Sequence, residues 1–159
     1  MALVPVDFAN SIGLRLLAPV TMSLRNATAD CILPRGGGLD GQKPVLVKKG
    51  TRLEVSIKAL HQDEEIWGPD ASKFWPERWE QGTASRTAPK WQYIPFLGGA
   101  RMCPAQQMML SHYAYLVVRF VQTFRKIENR DPELDFKAKV VFGQESANGV
   151  KVALYRRET

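Results

Sequence analysis

The order of apolar and polar positions marks several short elements and one long one. Ser11–Leu17 is a short apolar run that stops before Pro19 and reads as the last turn or two of a helix. Thr28–Leu33 and Val45–Val47 read as short strands, flanking a Pro34–Gly41 stretch whose consecutive glycines and Asp40-Gly41 pair predict a turn. Thr51–Leu60 alternates imperfectly, as a strand passing into a short helix would. From His61 to Tyr93 periodicity fades, and turn formers mix with Trp67, Phe74, Trp75, Trp79 and Trp91. A long irregular stretch of this kind is usually functional or packs on something else.

The strongest signal is Pro104–Lys126, 23 residues with no glycine, no second proline and no acid. At ~1.5 Å per residue such a helix would be about 34 Å long. Ala105, Met108, Met109, Leu116, Val117, Phe120, Val121 and Phe124 recur at helical spacing, and Leu110, Ala114 and Val118 widen the apolar surface. That pattern predicts a helix buried on more than one side, with Met108 and Met109 in the core. Beyond it, Asp135–Phe142 and Val150–Arg156 read as two strands joined across Ala147-Asn148-Gly149 as a C-terminal hairpin. Together these elements offer more faces to bury than partners to bury them against. The pattern is that of part of a larger domain.

Composition narrows the class. In 159 residues there are 22 Lys and Arg against 16 Asp and Glu, a formal charge of +6, with 45% apolar residues. This is a globular balance that excludes collagen-like and disordered chains, and the length fits one domain. Cys31 and Cys103 are too few for a disulfide framework, and no disulfide partnership is expected between them. No apolar stretch reaches the ~18–20 residues that cross a bilayer, and Pro5, Asp7 and Arg15 do not suit a signal peptide. A soluble, intracellular, reducing setting is the expectation. The basic residues are scattered, without the clustered aromatics or zinc module of a nucleic-acid binder, so no nucleic-acid partner is expected.

Chemistry concentrates just before the long helix, in Phe96-Leu97-Gly98-Gly99-Ala100-Arg101-Met102-Cys103-Pro104. Cys103 reads as the N-cap and Pro104 as the first helical residue, where proline's missing N–H is harmless. A thiolate there would face the positive end of the helix dipole, with Arg101 two residues away, and both would favour the ionised sulfur. The plain alternative is a small buried hydrophobe. A nucleophilic thiolate wants a base within reach, but His112 would stand about 13 Å along the helix. Zinc wants more donors, and there is neither a Cys-x-x-Cys nor a histidine pair. An axial haem ligand needs only one protein donor, because the porphyrin supplies the other four nitrogens.

The segment Phe96–Ala105 resembles the Phe-x-x-Gly-x-Arg-x-Cys-x-Gly/Ala haem loop of cytochrome P-450 monooxygenases. Phe74-Trp75-Pro76-Glu77-Arg78-Trp79 is similar to the family's Pro-Glu-Arg-Phe/Trp segment, and Ile66–Ala71 and Leu14–Val20 also resemble family segments. Cys31–Gly38 and Ala147–Val152 are similar to the fungal branch that hydroxylates n-alkanes and fatty acids. The resemblance covers residues 13–159, leaving 1–12 as an unmatched leader.

It implies a mainly α fold with small antiparallel β pieces: the end of one helix, a small sheet, an irregular aromatic loop, the haem loop, a long buried helix and a C-terminal hairpin. It implies haem b held through the Cys103 thiolate, whose electron donation favours O–O cleavage. Arg101 would pair with one haem propionate and Arg25 with another, Phe96 would pack beside the sulfur, and Gly99 would let the loop lie close to the ring. Arg15 and Arg78 match two members of a structural triad. The third, a glutamate three residues before the arginine, is Ile12 here, leaving two cations without a shared carboxylate.

The full-length family implies an NADPH-dependent reductase, a small apolar substrate and the cytosolic face of the endoplasmic reticulum. The matched region omits the family's anchor, its substrate-recognition helices and its oxygen-handling acid/threonine pair. This chain is therefore expected to be truncated, soluble or aggregating inside the cell, weak or lacking in haem binding and inactive alone. No catalytic residue beyond the haem ligand is expected in it. Two other classes stay open: an inert or interaction-only fragment, and a cysteine-based redox protein using Cys103. His61 reads as a surface or capping histidine, and His112 and Arg119 as lying on the helix's solvent or interface side.

Overall fold

The computed structural model describes residues 6–79, 91–133, 135–141 and 143–157, with side chains from Asn10 onward. The chain divides into two compact units, one formed by residues 22–56 and the other by the segments on either side.

In the smaller unit, β1 (Met22–Asn26) pairs antiparallel with β4 (Arg52–Ser56), placing Arg25 opposite Leu53. The β-branched and aliphatic positions that flank the Gly-rich turn form β2 (Cys31–Gly37) and β3 (Lys43–Val47), in register Cys31 to Val47 and Leu33 to Val45. The turn closes with the Gly36 N–H on the Gly41 carbonyl at 2.8 Å.

The larger unit opens with α1 (Val6–Leu16), which begins well before Ser11 and ends at the turn preceding Pro19. After the smaller unit come α2 (Ile57–Gln62) and α3 (Glu64–Trp67). Asp63 caps α3, its carboxylate accepting from the Glu65 N–H at 2.9 Å, and so satisfies a free donor of the first turn. A 3-10 turn at Pro76–Trp79 follows. Ile12, Trp67, Ala71 and Trp79 form the buried core, with Leu16, Ile66 and Tyr93 packed against it. The irregular aromatic stretch is thus the wall of a core, as far as Trp79; the residues after it, up to 90, lie outside the described ones.

Three expectations are corrected here. The long helix, α4, runs Gln106–Thr123, 18 residues rather than 23. Phe124 leaves it as the first residue of β5 (Phe124–Asn129), because pairing with β8 (Val152–Arg156) supplies Phe124, Lys126 and Ile127 with cross-strand neighbours. Second, α4 is not a buried helix: none of its residues is buried, and Met108, Tyr115, Leu116 and Val121 are each more than half exposed. Among the described elements, α1 and β5 make its most extensive contacts, and much of its apolar surface is exposed.

Third, the C-terminal strands do not pair with each other. Instead β6 (Ala138–Val140) folds back on β7 (Gln144–Ser146), and the Ala147–Gly149 turn carries β8 to β5. The Val141 N–H bonds the Gly143 carbonyl at 2.9 Å and closes the tighter hairpin. The turn after Val140 gives β6 a shorter closure than the predicted one, while β8 finds its cross-strand neighbours on β5. Among the described residues, no helix is long and apolar enough to cross a membrane.

Candidate functional site

The loop between Trp91 and α4 is shaped by its glycines and prolines. The Ile94 carbonyl accepts from the Leu97 N–H at 3.0 Å, closing a turn over Pro95-Phe96 in which Leu97 takes a φ of 62°. Positive φ is uncommon for a residue with a Cβ, so strain is held at this point of the loop. Gly98 is extended, and its need for glycine is steric: a Cβ there would meet the Trp91 ring at 2.5 Å. Gly99 has φ +70°, which glycine adopts freely, and the space where a Cβ would point is open. Gly99–Arg101 form a 3-10 turn, ended by the Met102 N–H on the Gly99 carbonyl at 3.1 Å.

Cys103 then turns back on the loop, its N–H donating to the Phe96 carbonyl at 2.9 Å. Phe96 and Cys103 are thereby joined through the backbone. The thiol is free and partly exposed. The expected capping position is corrected: the N-cap of α4 is Ala105, and Cys103 stands two residues earlier, its carbonyl taking the Gln106 N–H at 3.4 Å. Pro104 itself would suit a start at Cys103, but the first i→i+4 bond is the Met109 N–H on the Ala105 carbonyl at 2.9 Å, so the helix starts there. A cleft of about 300 Å³ opens between α1, this loop and the start of α4, lined among others by Ser11, Leu14, Phe96, Met102 and Leu110.

Arg101 is exposed, and among the described residues no hydrogen bond or ion pair engages its guanidinium. Arg25 lies in the other unit, on β1, exposed, with Nη1 donating to Ser23 Oγ at 3.0 Å and to the Leu24 carbonyl at 2.7 Å. The loop brings together Phe96, Gly99, Arg101 and Cys103 and does not include Arg25.

Behind the loop lies a buried cationic cluster. Arg15 on α1 is 0% exposed; Nη1 donates to the His61 carbonyl at 2.8 Å and Nη2 to the Lys73 carbonyl at 3.4 Å. Its guanidinium sits over the Trp67 ring, 5.0 Å from the centroid. Burial, and then the neighbouring Arg78 charge, lower its pKa to about 10. Arg78 is buried too, but it is not without a carboxylate: Nη2 pairs with Asp70 Oδ1 at 2.7 Å and Nη1 donates to the Trp67 carbonyl at 2.6 Å. The Arg78 hydrogen bond is also the chief cause that holds the Asp70 carboxyl below its ordinary range. Among the described residues, the Nε atoms of both arginines are buried without a hydrogen-bond partner.

Ile12 occupies the same face of α1 one turn before Arg15, fully buried among Trp67, Ala71 and Trp79. A carboxylate there would meet the charge of Arg15. Ile12→Glu is therefore expected to exceed Ile12→Gln in stability at pH 7 by about 2 kcal/mol, the scale of a hydrogen bond to a charged group. The paired carboxyl would have a lowered pKa when folded, so its advantage should vanish as pH falls through that value. Urea melts of the two variants at pH 7 and pH 3 test this; equal stabilities at pH 7 would show that position 12 does not face the guanidinium.

His61 is the residue that the sequence misassigned. It is 0% exposed rather than a surface or capping group. Nε2 accepts from the Ile94 N–H at 2.9 Å, while Nδ1, on the side of the Leu14 carbonyl, makes no hydrogen bond of ordinary geometry among the described residues. Desolvation, and then the Arg15 charge, lower its pKa to about 4. Tyr93 packs at 5.1 Å from its ring and donates its hydroxyl to the Ser11 carbonyl at 3.1 Å, and burial raises that phenol to about 12. No spacing rule singled out His61, since its partner is a backbone amide far along the chain.

The described residues hold no group of three or more His, Cys, Asp and Glu that could ligate a metal. The donor set fits a prosthetic group that brings its own ligands: one partly exposed thiol, open space at Gly99 and a guanidinium left available. A family model described as Cytochrome P450 matches residues 13–150, and the chain belongs to that family. Membership implies a haem cofactor. It is similar to the cytochrome P450 monooxygenases himC of Aspergillus japonicus (43% identical over 141 residues, 89% of this chain and 24% of that protein) and tenA of Beauveria bassiana (39% over 142 residues, 89% and 27%). Against apdE of Emericella nidulans it is 37% identical over 142 residues, 89% of this chain and 26% of that protein. The chain spans about a quarter of the length of the curated relatives it matches.

Proposed function

We propose that this chain carries the thiolate side of a haem monooxygenase site, with Cys103 as the iron ligand. The observation that supports this most is the Cys103 amide held by the Phe96 carbonyl beside an open glycine, a turn before α4. When bound, haem supplies the centre at which dioxygen is activated for insertion of one oxygen into substrate. The chain's own residues hold and orient it. Cys103 donates the sulfur, Arg101 offers a forked cation to a propionate, Phe96 shields the sulfur, and Gly99 keeps the backbone clear of the ring. The reading keeps Arg25 as a second propionate partner on the order of motifs alone.

The substrate is an apolar aliphatic molecule in this reading, from the segments similar to alkane and fatty-acid hydroxylases. The electron donor is an NADPH-dependent reductase, attracted by the basic surface, and the setting is the cytosolic face of the endoplasmic reticulum. By themselves the 159 residues would bind haem weakly and not turn over, because the residues that would hold it here would leave much of its apolar surface exposed to water.

Titration of the chain, in excess over haem, is expected to give a red-shifted thiolate-type Soret band in the ferrous carbon-monoxide form. Cys103→Ser should abolish that band and Cys31→Ser should leave it. A band that survives Cys103→Ser would move the ligand elsewhere.

A further inference from the structure

We propose that His61 is a positioning residue for the Cys103 loop, its imidazole fixing the Ile94 amide and with it the turn on which Cys103 hangs. The connection runs through three hydrogen bonds. His61 Nε2 accepts from the Ile94 N–H at 2.9 Å, the Ile94 carbonyl accepts from the Leu97 N–H at 3.0 Å, and the Phe96 carbonyl accepts from the Cys103 N–H at 2.9 Å. The middle bond closes the turn that places Leu97 at φ 62°, a conformation that persists only where its surroundings over-determine it.

The anchor is firmer than what it anchors. His61 is fully buried on α2, and its own carbonyl is gripped by Arg15 Nη1 at 2.8 Å. The next residue, Gln62, donates Nε2 to the Leu16 carbonyl at 2.9 Å, so α2 is tied twice to α1. Tyr93, the neighbour of Ile94, stacks at a tilt on the imidazole. The imidazole cannot follow the loop; the loop follows it. Accepting at Nε2 places the ring proton on Nδ1 and requires the neutral form. An apolar residue in this place would leave the Ile94 N–H without its acceptor.

For its meaning at the haem, this inference rests on the reading of Cys103 as the iron ligand; the hydrogen-bond chain itself does not. In His61→Leu, amide exchange at Ile94, Leu97 and Cys103 should accelerate at least tenfold relative to the β5–β8 ladder. His61→Gln, whose Oε1 can accept where Nε2 did, should restore most of the protection. Uniform acceleration of all amides, or no rescue by glutamine, overturns the proposal. In the unmutated chain, a scalar coupling between the Ile94 amide nitrogen and His61 Nε2 should be detectable by NMR, and its absence overturns the proposal even if His61→Leu fails to fold. On titration with haem, His61→Leu should weaken and broaden the thiolate-type Soret band and His61→Gln should not; identical bands in His61→Leu and the unmutated chain overturn it. If the unmutated chain gives no thiolate band, the haem reading falls, and the exchange and coupling results still decide the role of His61.

Discussion

Trp67→Ala is expected to cost 3–5 kcal/mol of folding stability, about the range for deleting a large buried aromatic side chain. Trp67 is 4% exposed and stands at the centre of the core. Its ring stacks on Trp79 at 6.2 Å and meets Tyr93 edge-on at 6.2 Å. Its Nε1 donates to the Leu60 carbonyl at 3.0 Å, so truncation also orphans an acceptor at the end of α2. Arg15 would lose the ring beneath its buried charge. Against a typical total of roughly 5–15 kcal/mol, such a loss leaves a large unfolded population. Trp67→Phe keeps a ring but not the N–H and should lose less than half as much. Urea unfolding followed by circular dichroism reads both; a loss under about 1 kcal/mol for alanine would mean that this cluster is not the core.

The second large effect is with acid. The unfolded chain protonates His61 near its ordinary 6.5, whereas the folded chain resists until about 4. A histidine whose folded pKa is lowered contributes fully above 6.5, and that contribution drains away as pH falls from there to 4. The gap is worth about 3 kcal/mol, at 1.36 kcal/mol per unit. The charged group facing the ring is Arg15, which opposes the imidazolium, and the Tyr93 phenol stays neutral throughout this window. Asp70 and Glu128, whose ordinary values of 3.8 and 4.5 are lowered in the folded chain by hydrogen-bonded cations, begin to lose their contributions only below about pH 5. Stability measured between pH 7 and pH 5 should therefore slope in the unmutated chain and stay nearly flat in His61→Gln. Equal slopes would show that another group takes up the proton.

Much of the site could be read directly from residue order. The Phe96-to-Cys103 spacing, the glycines and Pro104 are local features, and the family they indicate is the one that the comparisons show. The Gly-rich hairpin of β2 and β3 was likewise visible, because turn residues and flanking aliphatics are neighbours in the chain. The start of α4 was misplaced by two residues: Pro104 suits a first helical position, yet the first carbonyl to accept an i→i+4 bond is that of Ala105.

What residue order determined, then, was the motif of one loop, the family it indicates and the type of some elements, whereas β1, α3 and β7 were not read from it. The tertiary structure alone decided which strands paired, that α4 lies uncovered, that Arg78 found Asp70, and that His61 is buried with a backbone amide as its partner. The physical reason is the same in each case. A motif is set by covalent neighbours, whereas pairing and burial depend on what packing brings from far along the chain, and an amide acceptor leaves no mark on the residue that supplies the amide.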